Sequence, residues 1–556
     1  MLNLFGGILF KLGSFVLIGL IVLSQAQSPF ASDLQPLISK KQLEPIAAIV
    51  DKAIRESKIP GAVLLIGNQE KVVYRRAFGF RTLVPKKLPM AEDTIFDIAS
   101  LTKVIATTTA VMQLVEEGKL QLDAPVALYW PAFKANGKSG ITVRQLLTHY
   151  SGLQPDLELK HKWSGYSKAM KMIVAERPVS PPGTSYIYSD INFEILGDLV
   201  QRVSGKPLDV YCAEHIFKPL GMKNTFFNPP MSLQNRIAPT QYQNGKNGKL
   251  LWGEVHDPTA HRMGGVAGHA GLFSTAYDLA RFANMLLCGG SFKGARVLTT
   301  ATIDIMTLPQ TPPESMPLRG LGWNIDAPFG SNRNTLFPIG SFGHKGYTGT
   351  LIWIDPVSRT YVIILTSRVH PYGKGDADPL RKQIMNLVSG ALGPLSENHV
   401  LSRRPSLTRY YELMKSYRGR VQTGIDVLEK EKFAPLTGLR LGIVTNHSGL
   451  DSAGRRTIDL LDRAPDLKLV ALFSPEHGLS CTSDDKVLAA LLGIEIVSAL
   501  YRLYPGDFRL DKALDIIGSR KVVQAIRDGL DPKTVTLQWS KDLERFKKLR
   551  SKYLLY

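Results

Sequence analysis

Phe96-Asp-Ile-Ala-Ser100-Leu-Thr-Lys103 puts a serine and a lysine three residues apart at the head of an apolar helical period. That period runs through Val104, Ile105, Val111, Met112, Leu114 and Val115 and stops at Gly118, so the spacing predicts an amphipathic helix beginning at Ser100. Residues three apart share a helix face, which brings the hydroxyl and the amine together. A serine hydroxyl is a poor nucleophile until a base takes its proton, and a partly desolvated lysine can be that base. A helix N-terminus also favours the oxyanion formed on attack. By itself the spacing is a weak signal. Ser483-Asp-Asp-Lys486 has it too, with two acidic neighbours that would hold the lysine protonated, and a serine capping a helix beside a solvated lysine is the commoner meaning. Two further polar segments add weight: Tyr188-Ser-Asp190-Ile-Asn192 ahead of a helical stretch at Phe193–Val203, and Gly343-His344-Lys345-Gly346-Tyr347-Thr-Gly349 ahead of an apolar strand at Leu351–Asp355.

The elements that must position these groups come from both ends of one segment. Gly61–Gly67 and Lys71–Gly79 read as two strands about a turn, after a helical period at Leu43–Ile54, and strand patterns return at Leu351–Asp355 and Tyr361–Thr366. Most of residues 100–290 is helical and loop-like. The expected fold is α/β: an antiparallel sheet with flanking helices and an inserted helical region. Around Pro394 and Arg403-Arg404-Pro405 the apolar period is broken. Beyond it, Leu439–Asn446, Thr457–Leu461 and Leu467–Phe473 read as the strand, helix and strand of a smaller α/β domain. A basic helix carrying Trp539, Leu543, Phe546, Leu549 and Tyr553 on one face closes the chain. Its spacing favours packing within a domain over a membrane surface. The expected domains are residues 1–26, 40–392, 393–423 (a linker) and 424–556.

The first 26 residues carry one charge, Lys11, then the apolar run Leu12–Leu23 and Ser24-Gln-Ala26. This order favours a secretory signal cleaved after Ala26 over an uncleaved membrane anchor, and the protein is expected to be exported. Cys212, Cys288 and Cys481 are odd in number and far apart, so a disulfide framework does not organise the fold. The net charge of +20 is shared between the halves, with no basic block interleaved with aromatics and no zinc spacing, which excludes a dedicated nucleic-acid module.

In this order, the three polar segments resemble those of the serine β-lactamase and penicillin-binding protein superfamily, most closely its class C and esterase-like branch. Ile141–Gly152, Lys218–Met222, Ala267–Thr275 and Leu321-Gly-Trp323 match the same branch, and the resemblance spans roughly residues 40–390. It implies Ser100 as the acylated nucleophile, Lys103 as its base and Tyr188 as the relay to the leaving group. Asp190, Asn192, His344, Lys345 and Gly346 are implied substrate-binding residues, and the amides of Ser100 and Tyr347 an oxyanion hole. His344 stands where the family has lysine. Lys345 replaces a threonine or serine, so it is expected either to crowd the slot for a substrate carboxylate or to pair with that carboxylate. His149, His269 and Trp323 are expected to be structural. No metal or cofactor is implied.

Gly424–Leu428, Gly442–Gly449, Thr457–Leu461 and Phe473-Ser-Pro-Glu476-His477-Gly478 resemble the opening of the bacterial exo-β-N-acetylmuramidase family, and residues from about Gly493 to Tyr556 its end. The family's long middle is reduced here to Leu479–Leu492. Glu476, with His477 beside it, resembles a family active-site residue, but glycoside hydrolysis needs a second carboxyl group, and any partner from the family's middle is absent. A degenerate sugar-binding or structural remnant is therefore expected rather than an active glycosidase. The fusion points to peptidoglycan fragments, or small amide and ester substrates, met outside the cytoplasm, with membrane contact only through an uncleaved N-terminus. The leading expectation is an acyl-serine N-acetylmuramyl-L-alanine amidase. An esterase, a D-alanyl carboxypeptidase or a β-lactamase is the alternative in kind, and a non-catalytic cell-wall binding protein the alternative of another class. The oligomeric state is left open.

Overall fold

The structure is a computed structural model. It describes residues 38–408, apart from 69–70, 244, 246–247, 312–316, 326–336, 338–339 and 394–396, together with parts of 412–534. The N-terminal signal or anchor, Cys481, Ser483–Lys486, Glu476, His477 and the C-terminal basic helix lie outside the described residues. The chain divides into two units, residues 1–408 and 409–556. Among the described residues no helix is long and apolar enough to cross a membrane.

The strands of the first unit, in chain order, are β1 (Gly61–Asn68), β2 (Lys71–Thr82), β3 (Leu88–Pro89), β4 (Phe96–Asp97), β5 (Phe226–Phe227), β6 (Leu272–Ser274), β7 (Ser291–Phe292), β8 (Ala295–Arg296), β9 (Asn324–Ile325), β10 (Phe342–Lys345), β11 (Leu351–Asp355) and β12 (Thr360–Thr366). Seven of them form the main sheet in the order β3-β2-β1-β12-β11-β10-β9. All of its pairings are antiparallel. Strands from the two ends of the unit meet at its centre, with Ala62 opposite Thr366 and Asn68 opposite Thr360.

Both faces of this sheet are covered, which is why β1 and β12 read as unbroken apolar runs. Along β1, Val63 and Leu65 enter a core shared with the helical region. Ala62, Leu64 and Ile66 enter a second core under the helices Ile46–Arg55 and Asp378–Leu392. The helical region also contains the small sheet β4-β6-β5, which short two- and three-residue strands hid from the sequence pattern.

The segment after Ser100 is helical to Glu116, with a π-type stretch at Lys103–Thr108. It is not amphipathic as expected. Leu101–Met112 is buried throughout, because the helix Asp190–Ser204 and the helical segments Leu208–Cys212 and Ala213–Phe217 pack on it within the first core. That second helix starts at Asp190, three residues earlier than its apolar period suggested. In the second unit, β13 (Arg440–Val444) and β14 (Lys468–Phe473) pair in parallel, joined through the helix Thr457–Asp462.

Candidate active site

Ser100 sits at the turn between β4 and its helix, and the residue before it, Ala99, has a positive φ of 48°. An alanine there costs on the order of 1–3 kcal/mol and persists only where its surroundings enforce it. Here the buried Asp97 carboxylate accepts hydrogen bonds from the amides of Ala99 (2.8 Å) and His256 (2.7 Å), and Thr102 Oγ1 donates to the Ala99 carbonyl (2.6 Å). Burial still lifts the Asp97 carboxyl to about 6.

Lys103 is fully buried beneath Ser100. Its Nζ donates to Ser100 Oγ (3.0 Å) and to the His269 carbonyl (3.0 Å), and it pairs with Asp190 Oδ1 at 2.6 Å. Burial favours the neutral amine, but the Asp190 carboxylate, and Tyr188 after it, outweigh burial and push the lysine well above its ordinary value. It rests as an ammonium. Its Nζ lies 5.2 Å from the ring centre of Tyr188, which stacks on His149 at 4.4 Å and faces His344 at 6.3 Å.

The two histidines beside Tyr188 are neutral. Burial, then the Arg319 and Lys103 charges, holds both well below the ordinary histidine value. His149 Nδ1 accepts from the Ser189 amide (3.1 Å), which leaves the proton on Nε2. In His344 the roles are reversed. Its Nδ1 donates to the Lys345 carbonyl (2.9 Å), so the buried Nε2 is a bare acceptor with no hydrogen-bond partner among the described residues.

The oxyanion-hole loop is fastened at several points. Thr348 Oγ1 donates to the Asp97 carbonyl (2.8 Å) and Thr350 Oγ1 to the Ile98 carbonyl (3.0 Å), tying the loop after β10 to the turn that carries Ser100. Arg381 donates to the carbonyls of Gly346 (2.7 Å) and Thr350 (2.9 Å), and Arg368 Nε to that of Tyr347 (2.7 Å). With these carbonyls held, the amides of Ser100 and Tyr347 donate to no described residue and remain available to an oxyanion. The Tyr347 side chain is 61% exposed, between His256 and the Arg368 guanidinium.

Of the residues singled out from the sequence, the fold brings Ser100, Lys103, Tyr188, Asp190 and His344 together. Two are placed differently. Lys345 faces away from the site: His344 is opposite Ile352, in the core shared with the helical region, whereas Lys345 is opposite Leu351, in the core behind the sheet. Its Nζ reaches Asp378 at 3.6 Å, so it neither crowds nor lines a substrate slot. Asn192 is fully buried, and its Oδ1 accepts from Ser151 Oγ (2.5 Å) beside His149. It braces the stack under Tyr188 instead of meeting substrate. Asp190 acts on Lys103.

Sequence reasoning missed the charged cluster behind Lys103. His269 Nε2 is 2.8 Å from Asp257 Oδ1, its Nδ1 is 3.4 Å from Glu194 Oε1, and Asp190, Asp257 and His269 each bring a carboxylate oxygen or ring nitrogen within 4.8 Å of the others. No local spacing marks Glu194 or Asp257, because what distinguishes them is acquired in the fold: Glu194 is buried and Asp257 is brought against His269. Arg368 and Arg381 were likewise invisible as clamps, since their partners are main-chain carbonyls.

Residues 46–384 match the family described as Beta-lactamase, which is more than half of the chain. The chain belongs to the β-lactamase family. As a β-lactamase-family protein it is a serine hydrolase. It is 33% identical over 345 residues to a putative D-alanyl-D-alanine carboxypeptidase of Escherichia coli strain K12, covering 56% of this chain and 79% of that protein. It is 32% identical over 373 residues to an N-acetylmuramyl-L-alanine amidase of Bacillus subtilis strain 168, covering 60% and 82%. The β-lactamase-like fold is shared with a penicillin-binding protein homologue from Caulobacter crescentus (TM-score 0.53, 21% identity, 64% of this chain and 99% of that one). It is also shared with EstCE1, a hydrolase with promiscuous acyltransferase activity (TM-score 0.52, 23% identity, 63% and 99%). Residues 441–506 and 476–556 match the N-terminal and C-terminal parts of the exo-β-N-acetylmuramidase NamZ family.

Proposed function

We propose that this serine hydrolase is exported to the cell envelope and cleaves the amide between N-acetylmuramic acid and L-alanine in peptidoglycan fragments. The observation that carries the proposal is the joining, in one chain, of a site whose Lys103 Nζ already touches Ser100 Oγ to segments of a muramidase family. The similarity to the Bacillus subtilis amidase supports it.

Ser100 Oγ attacks the amide carbonyl carbon while its proton passes to Lys103, and the amides of Ser100 and Tyr347 receive the oxyanion. The C–N bond breaks as Tyr188 delivers a proton to the leaving nitrogen. Water then adds to the acyl-serine, its proton returns through the same groups, and the muramic acid carboxylate departs. Because Lys103 rests as an ammonium, only its neutral fraction can accept the Ser100 proton.

Incubating the protein and its Ser100→Ala variant with a muropeptide, and following the products by mass, tests this. Release of the free peptide by the wild type alone is the expected result. Loss of a terminal D-alanine instead would make it a carboxypeptidase, the second reading, which the similarity to the Escherichia coli protein supports. Turnover of simple esters only would make it an esterase, and no turnover with retained muropeptide binding a cell-wall binding protein.

A further inference from the structure

We propose that Glu194 and His269 form a buried proton-exchanging pair behind Lys103 that sets how fast Ser100 is acylated at alkaline pH. The proposal rests on Ser100 and Lys103 acting as nucleophile and base, and it concerns positioning residues rather than groups that touch substrate.

Glu194 and His269 are the buried members of a cluster whose outer members, Asp190 and Asp257, are partly exposed. Glu194 is buried on the helix that begins with Asp190, and neither of its carboxyl oxygens has a hydrogen-bond partner among the described residues, although Oε1 is 3.4 Å from His269 Nδ1. The other ring nitrogen of His269 is 2.8 Å from Asp257, and the His269 main-chain carbonyl accepts from Lys103 Nζ. The titratable groups facing the pair are Asp190 on its own helix, Asp257 ahead of the helix Pro258–Arg262, Asp156 in the loop held by Thr259, Tyr166 at the start of the helix Tyr166–Ala175, whose hydroxyl donates to Asp198, and Lys103. A carboxyl group sealed in this way stays protonated unless a cation compensates it.

Burial raises Glu194 to about 8, above any exposed carboxyl group. For His269, burial favours the neutral ring, but Asp257, then Glu194 and Asp190, carry it up to about 9. Burial brings Asp156 to about 6, whereas Asp257 is held well below its ordinary value against burial by His269. At neutral pH the cluster therefore holds two cations, Lys103 and His269, facing Asp190, the ionised Asp257 and a largely ionised Asp156, with Glu194 neutral. Between about pH 8 and 9 the pair loses two protons, with apparent values that belong to both groups jointly.

The sign of the effect follows from Lys103. Two units of negative charge gained behind it hold its ammonium more firmly. For a base whose pKa lies above the working pH, each pKa unit gained lowers the neutral fraction about tenfold, and the gain in basicity returns only part of that. The acylation rate, which rises with pH while more Lys103 becomes neutral, should flatten between pH 8 and 9.

The test is the rate of Ser100 acylation by a neutral fluorophosphonate probe on the full chain between pH 6 and 10. Glu194→Gln keeps the shape and removes the ionisation. Its rate should equal the wild-type rate within twofold at pH 6.5 and exceed it at least fivefold at pH 9. His269→Gln, which removes the balancing cation, should be at least tenfold slower at pH 7 and show no flattening. A purely structural role would scale the rate by one factor at every pH, and a Glu194→Gln to wild-type ratio independent of pH would overturn the proposal. Labelling that persists in Ser100→Ala would instead remove the nucleophile assignment on which the proposal rests, so the two failures are distinct.

Discussion

His344 and Lys345 are consecutive residues of β10 that serve opposite faces of the main sheet: His344 turns to Tyr188, while Lys345 turns to Asp378 on the far side. Only one of the two positions should therefore matter for catalysis. Lys345→Met is expected to change kcat/KM less than threefold, since an exposed pair of this kind contributes roughly 0–1 kcal/mol and sits away from the reacting atoms. His344→Ala should lower kcat/KM at least tenfold, or about 1.4 kcal/mol, through loss of the acceptor Nε2 beside Tyr188. Equal effects in steady-state kinetics would refute this placement.

Asp190 holds up the affinity of Lys103 for its proton. With Asp190→Asn the buried ammonium loses its counterion, so the lysine gives up its proton at lower pH. The acid side of the acylation pH profile should then move down by a unit or more, about tenfold in relative rate at pH 6. A profile that keeps its midpoint would show that Asp190 does not govern Lys103.

Gly346 leaves no room for a side chain. An added Cβ would lie 2.1 Å from Thr350 Oγ1 and 2.5 Å from the Ile98 carbonyl, the atoms that fasten the oxyanion-hole loop. Gly346→Ala should displace the Tyr347 amide and reduce kcat about 100-fold, the order expected when one oxyanion donor is lost. Stability should fall by only about 1–3 kcal/mol. Urea unfolding and single-turnover acylation separate the two effects.

Each group named at the site belongs to the unit 1–408. A chain ending at Thr408 should therefore label with an acyl-serine probe at the full-length rate within twofold. If labelling disappears while circular dichroism shows an intact fold, the second unit contributes to the chemistry.

The chemical inventory was legible in the residues themselves. Ser100, Lys103 and Tyr188 stand in recognisable segments, and the apolar runs of β1, β11 and β12 announced strands of one sheet, because strand and helix periods are local properties. The tertiary structure alone decided what each charge does. Lys345 faces a helix behind the sheet because strand alternation acquires an inside only when other elements cover it. Leu101–Met112, after Ser100, is buried on every side because segments distant in the chain close over it. Glu194, Asp257 and His269 became a cluster around Lys103 when the helix from Asp190 and the loop ahead of β6 met across the first core and buried Glu194 and His269. Desolvation is a property of the assembled fold, and no spacing along the chain encodes it.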